Sequence, residues 1–324
     1  MEKRSTAILK LAAAGFVGGV VIHSGYAWVN RSASSDQKVG NELLIQALLE
    51  DGNSFRGEDK KQLKTSAQTL QRQQSRQTKT KQPFPGHLEQ KPPITLSIRV
   101  ALLSINPLRS LRLQGDASCY SKTGIPLSSD QLNIVLEKPD QGPIHCKTQK
   151  KGRIIVNGRP YEQQIAFLVR ENGWLAVNQL ELERYVASVV GAEMPSHWHQ
   201  EALKAQAVAA RSYALAHMAR PADSDFDLGD TTRWQAYGGL FTQTSKSLDA
   251  TDATQGIVLS YKGGIVESLY AATASISYEA HRHLGASMSQ HGAQDKANQG
   301  LKFNEILGAY YVGAALARLQ NHDN

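Results

Sequence analysis

Apolar and polar positions change rhythm three times along the chain. Leu11–Ile22 is an uncharged, mostly apolar run behind Lys3, Arg4 and Lys10. It is shorter than the ~20 residues a spanning helix needs. It has the length of the apolar core of an export signal, and Gly25-Tyr26-Ala27 offers small residues at a cleavage position. The alternative is an uncleaved membrane anchor over residues 11–29. Residues 31–93 then read as a polar flexible linker. Glu42–Glu50 could form a short helix, but beyond Asp51 the Gln, Lys, Arg, Ser and Thr content leaves little apolar surface to offset ordering entropy. From Ile94 the rhythm becomes alternating. Short apolar runs at 94–105, 110–114, 133–137, 153–156 and 164–170 predict strands. Gly115-Asp116, Gly124, Pro139-Asp140-Gln141-Gly142 and Asn157-Gly158 punctuate them, and Asn-Gly is a strong hairpin signal. A further hairpin is expected at Glu171-Asn172-Gly173, leading into 174–177.

From Leu180 the period becomes helical. Leu182, Tyr185, Val186, Val189 and Val190 form one stripe, with Glu181 and Glu183 in the first turn, where the helix dipole favours them. Gly191 and Pro195 are expected to stop this helix, and Ser196 to cap the next. The second helix carries Ala202, Ala205, Ala207, Ala209, Ala210, Ala214, Ala216 and Ala219 before Pro221 ends it. Alanine favours helix and lets another backbone come close. Glu193 falls at the elbow between the two helices. Apolar Met194 and Trp198 beside it would raise its pKa toward the range of a general acid. The competing reading makes Glu193 a cap or an ion-pair partner of Arg211 or Lys204. Residues 250–273 read as a strand pair turning at Lys262-Gly263-Gly264. The fold class is therefore α+β. A β-rich part (94–178), a helix pair (179–220) and a part with strands and a C-terminal helix (221–316) precede a short tail (317–324).

Composition narrows the class. The chain has 324 residues, 41% of them hydrophobic, and a formal net charge of +7. A basic chain suits nucleic acid or an anionic envelope surface. No aromatic-interleaved basic patch, zinc finger or helix-turn-helix pattern occurs, so nucleic acid is not an expected partner. Cys119 and Cys146 are too far apart for a CxxC motif. They pair in an oxidising compartment, or are two unrelated thiols.

One phrase carries a resemblance. Val177, Asn178, Leu180, Leu182, Glu183, Tyr185, Val189, Val190, Glu193, Met194, Pro195, Trp198, Glu201–Arg211, Tyr213, Ala214 and Leu215 stand in the register VN-x-L-x-LE-x-Y-x-x-x-VV-x-x-EMP-x-x-W-x-x-EALKAQAVAAR-x-YAL. This resembles the signature of the SpoIID/LytB domain of sporulation protein IID and of amidase enhancers. Gln235, Tyr237 and Gly239 are similar to a Q-x-Y-x-G phrase. Met288-Ser289-Gln290-His291-Gly292-Ala293 is similar to MSQ-x-GA, and residues 300–313 resemble the family's closing helix, with Val312 in place of its proline. The chain departs from the family around 278–283, where many tens of residues are missing. Leu284 stands where the family has a histidine, and 271–277 lacks the family's paired glycines. The His281-Arg282-His283 cluster reads as a surface cluster, not a metal site. Some members bind zinc through cysteines near 225–239; this segment has none, so no metal and no cofactor are expected.

The resemblance implies an exported protein of the periplasm or cell envelope that acts on peptidoglycan. It implies lytic-transglycosylase-like cleavage with Glu193 as the acid, and Arg211, Gln235, Tyr237, Ser289 and Gln290 as candidates for holding glycan. One acid suffices, because the muramate's own 6-hydroxyl replaces the water of a hydrolase. The alternative, toward which the departures weigh, is a glycan-binding protein that stimulates a partner amidase without cutting.

Overall fold

The computed structural model describes residues 94–138, 142–171, 173–281 and 287–320, with only the backbone described for 278–281. The expected export segment or anchor, the linker with its short helix, Leu284 and the side chains of the histidine cluster lie outside the described residues. Among the described residues no helix is long and apolar enough to cross a membrane.

Strand alternation builds the first half. β1 (Ser97–Ala101) turns Ile98 and Val100 into the core and is followed by a 3-10 turn at Leu103–Ile105. β2 (Leu111–Gln114), β3 (Ala117–Tyr120) and β4 (Pro126–Leu127) lead to α1 (Ser129–Leu136). After it come β5 (Ile144–Thr148), β6 (Arg153–Val156), β7 (Arg159–Tyr161), β8 (Gln164–Arg170) and β9 (Gly173–Glu181). The larger sheet runs β4-β3-β5-β8-β9-β1, and β10 (Leu228–Gly229) adds to β1 in parallel. A second sheet has the order β2-β6-β7. Both expected hairpins form. Asn157 and Gly158 take positive φ at the β6–β7 turn, and Arg170 faces Gly173 across β8–β9. Cys119 and Cys146 face each other on β3 and β5 and form a disulfide, which settles the open alternative for pairing.

One expected strand is wrong. Residues 133–137 belong to α1 and the turn after it. Ser128 accepts the Gln131 N–H and the Gln131 side chain accepts the Ser128 N–H. That reciprocal cap decides for helix where a short apolar run decides nothing.

The second half is centred on one buried helix. β9 continues to Glu181, so α2 spans Leu182–Glu193, starting two residues later than the helical period expected from Leu180. Gly191 does not stop it. A Cβ there would stand 1.9 Å from the Thr242 carbonyl oxygen, so the glycine admits a neighbouring loop rather than ending the helix. α3 spans Gln200–Ala219 and is capped by His199, whose Nδ1 accepts the Glu201 N–H at 3.2 Å, not by Ser196. All but one of its residues from Glu201 to Ala216 are buried. The alanines allow neighbours to hydrogen-bond its backbone: Ser268 reaches the Ala209 carbonyl and Gln235 the Ala210 carbonyl. Around α3 pack α4 (Ser245–Ala253), the hairpin of β11 (Ile257–Tyr261) and β12 (Gly264–Ile265), and, later in the chain, α6 (Gln290–Asn298) and α7 (Phe303–Tyr310). β15 (Ala315–Arg318) pairs with β11. The expected strand pair of 250–273 is thus only partly formed. Residues 250–253 are helical, and β13 (Leu269–Ala271) leaves β12 to pair in parallel with β14 (Ser287–Ser289), across α5 (Ala274–His281).

Candidate active site

Glu193 is the last residue of α2, at the edge of the elbow that begins with Met194 rather than within it. Three segments distant in sequence meet its carboxyl. The first is α2 itself. The second is the loop after β10, whose Ala236 N–H donates to Oε1 at 2.9 Å. The third is the start of α6, whose Gln290 Nε2 donates to Oε2 at 3.2 Å. Glu193 is only partly buried, and among the described residues no cation lies within ion-pairing distance of it. The competing ion-pair reading is therefore not realised: Lys204 pairs with Glu201 at 2.9 Å and Arg211 with Glu183 at 2.6 Å.

Burial pushes the Glu193 carboxyl above its ordinary value, and the Ala236 and Gln290 donors pull it back only in part. A position at the C-terminal end of a helix disfavours negative charge as well. The surroundings are neutral. Tyr185 and Tyr270 lie within electrostatic reach of Glu193, and burial holds both phenols far above the range in which they would ionise. Gln235 ties them together. Its Oε1 accepts from the Tyr185 hydroxyl at 2.9 Å, and its Nε2 donates to the Tyr270 hydroxyl at 2.8 Å.

The other expected site residues divide. Gln290 comes to the carboxyl. Ser289 is buried and caps α6 by accepting the Gly292 N–H at 3.0 Å. Gln235 is fully buried, and Tyr237 is buried with its hydroxyl donating to Asn178 at 2.6 Å. These two anchor the loop that presents Ala236. Arg211 does not face a ligand. It is 0% exposed, bonds both oxygens of Glu183 at 2.8 and 2.6 Å, and reaches the Ile257 carbonyl at 3.0 Å. Its expected role in holding glycan gives way to a structural one, because its donors are consumed inside the fold. The MSQ-x-GA phrase makes sense in these terms. Met288 and Ala293 fill the core, Ser289 caps, Gln290 reaches Glu193, and Gly292 leaves room for the Tyr310 hydroxyl, 2.1 Å from where a Cβ would stand.

Sequence reasoning missed Ala236, Tyr185, Tyr270 and the Gly191–Thr242 approach. An alanine that acts through its backbone N–H leaves no side-chain signal. Tyr185 was visible as part of a helical stripe and of the motif register, without a role attached to it.

One comparison with known proteins is placed on this region. The family model described as SpoIID, Stage II sporulation protein, matches residues 170–261, from the end of β8 through α2 and α3 to β11. An uncharacterized protein of Brachyspira hyodysenteriae is 36% identical over 188 residues, covering 54% of this chain and 51% of that protein. The amidase enhancer of Bacillus subtilis is 38% identical over 85 residues, 26% of this chain and 11% of its own length. Stage II sporulation protein D of Bacillus subtilis is 26% identical over 197 residues, 56% of this chain and 52% of its own. The chain thus spans about half the length, or less, of these relatives.

Proposed function

The chain is a member of the SpoIID/LytB family, and on that premise we propose that it is a peptidoglycan-processing protein of the cell envelope that cleaves glycan strands with Glu193 as its acid. The observation that carries this reading is the state of the carboxyl: partly buried, raised in pKa, held by two neutral donors and not neutralised by a cation among the described residues. Such a group holds its proton to higher pH than a free carboxyl does and can give it up to a leaving oxygen. The protonated carboxyl would donate to the oxygen bridging N-acetylmuramate and N-acetylglucosamine, and that bond would break toward an oxocarbenium-like centre. The muramate 6-hydroxyl would then close on the centre and return its proton to Glu193, leaving a 1,6-anhydro end and the acid restored. No water enters, so no second carboxylate is called for. Export is supported by the disulfide, since such bonds persist in oxidising compartments.

Incubation of purified glycan strands with the full-length protein, followed by mass spectrometry, tests this. Anhydromuramate ends that disappear in Glu193→Gln are the expected result; ends that persist in the variant reject the mechanism. A second reading rests on the 38% identity to an amidase enhancer. In that role the protein would bind strands and accelerate a cell-wall amidase, and Glu193→Gln would leave the acceleration intact.

A further inference from the structure

The segment that brings Ala236 to Glu193 is a closed and rigid loop. At its base the Tyr237 N–H donates to the Asp230 carbonyl at 3.3 Å, and the Asp230 N–H donates to Ala101 at 3.0 Å. The Asp230 carboxylate accepts from the Ser104 N–H and hydroxyl. Inside the loop the Trp234 N–H closes a turn on the Thr231 carbonyl at 2.9 Å. The indole lies against β10, where a Cβ on Gly229 would stand 2.5 Å from Trp234 Cζ3. On this fixed indole sits the guanidinium of Arg233, its Cζ 4.7 Å from the ring centroid. Arg233 is exposed, and among the described residues no carboxylate lies within ion-pairing distance of it. Other exposed arginines differ: Arg170 meets Asp223 and Asp225, and Arg220 meets Glu267. Arg233 belongs to the same loop as the site, three residues before Ala236, whose N–H donates to Glu193.

An arginine stacked on an indole has lost much of its side-chain freedom, while its in-plane N–H groups remain available as a fork for two oxygens. We propose that Arg233, laid on Trp234, is a subsite for a carboxylate borne by the glycan strand on which Glu193 acts. The proposal rests on the glycan reading above. Two groups on peptidoglycan offer that chemistry: the lactyl carboxylate of a muramyl residue that carries no peptide, and the carboxylates of a stem peptide.

The test measures binding of the full-length Glu193→Gln protein, which should not consume its ligand, to three preparations of one strand. One is peptide-free, one is peptide-free with its lactyl carboxylates converted to methylamides, and one bears stem peptides. Arg233→Gln is compared in the same background after its thermal midpoint is checked, and Arg233→Lys is included because it keeps the charge but not the fork. Loss of about tenfold in affinity on Arg233→Gln, with Arg233→Lys between, is expected for the carboxylate-bearing strand that uses the site. Amidation should cost the parent the same factor and cost Arg233→Gln nothing, if the lactyl group is the ligand. A loss confined to the peptide-bearing strand assigns the site to the stem peptide. Equal affinity of parent and Arg233→Gln for all three strands overturns the subsite while leaving the glycan reading standing. A parent that binds none of the strands, in a protein that also produces no anhydromuramate ends, overturns the glycan reading and the subsite with it.

Discussion

At the scale of single residues, Glu193 trades stability for chemistry. A carboxyl whose folded pKa lies above its unfolded value stabilises the fold fully below the unfolded value and loses that contribution as pH rises through the folded one. Glu193→Gln, which cannot ionise, should therefore melt higher than the parent at neutral pH, with the difference vanishing as pH falls below the ordinary carboxylate range. Thermal melts across pH read this directly. The same substitution should lower strand cleavage by about 10²–10⁴-fold. Gln290 supplies a donor that favours the ionised form. Gln290→Ala should therefore raise the Glu193 pKa further and carry the alkaline limb of the pH–rate profile to higher pH. A limb that moves to lower pH would contradict the geometry.

At the scale of elements, two contacts brace α2, the helix that carries the acid. The first is Arg211–Glu183, which bonds α3 to α2 and, through the Ile257 carbonyl and the Gly256 N–H, to the start of β11. Removing one partner strands a buried charge, so Glu183→Gln should destabilise by about 3 kcal/mol in denaturant titration, far more than an exposed pair would. The second is the approach of the Thr242 carbonyl to Gly191, reinforced by Ser188 Oγ to Thr242 Oγ1 at 2.9 Å. Gly191→Ala forces the 236–242 loop or α2 to shift. We expect a cost of about 1–3 kcal/mol from overpacking, together with a loss of cleavage greater than the stability change explains, because Ala236 moves with the loop.

At the scale of the whole molecule, the β-rich half and the helix-centred half share one core. The chain passes between them through β9 and α2 without a linker, and Tyr237 from the loop beside the site packs on Tyr161 and Tyr185 from the two halves, at centroid distances of 6.2 and 5.3 Å. The disulfide lies in the first half, across β3 and β5. Replacing both cysteines by serine should lower stability by about 3 kcal/mol. Since the halves share a core, a single melting transition at lower temperature is expected, not a separate transition for the sheet.

What the residue order by itself determined is local. Alternation specified β2, β6, β8 and β9, Asn157-Gly158 specified a turn, and the alanine-rich run specified α3, because neighbouring residues carry those signals in their own side chains. The motif register also singled out Glu193 and Gln290. Tertiary structure decided the rest. The close pass of Thr242 turned Gly191 from a helix stop into a contact, whereas the cap that made 129–136 a helix is local, between Ser128 and Gln131, and stood in the sequence beside a misleading apolar run. Arg211 was moved from ligand to core by Glu183, 28 positions away in the chain. The partner of the acid proved to be a backbone N–H on an alanine, and a peptide group carries no mark in the sequence until the fold aims it.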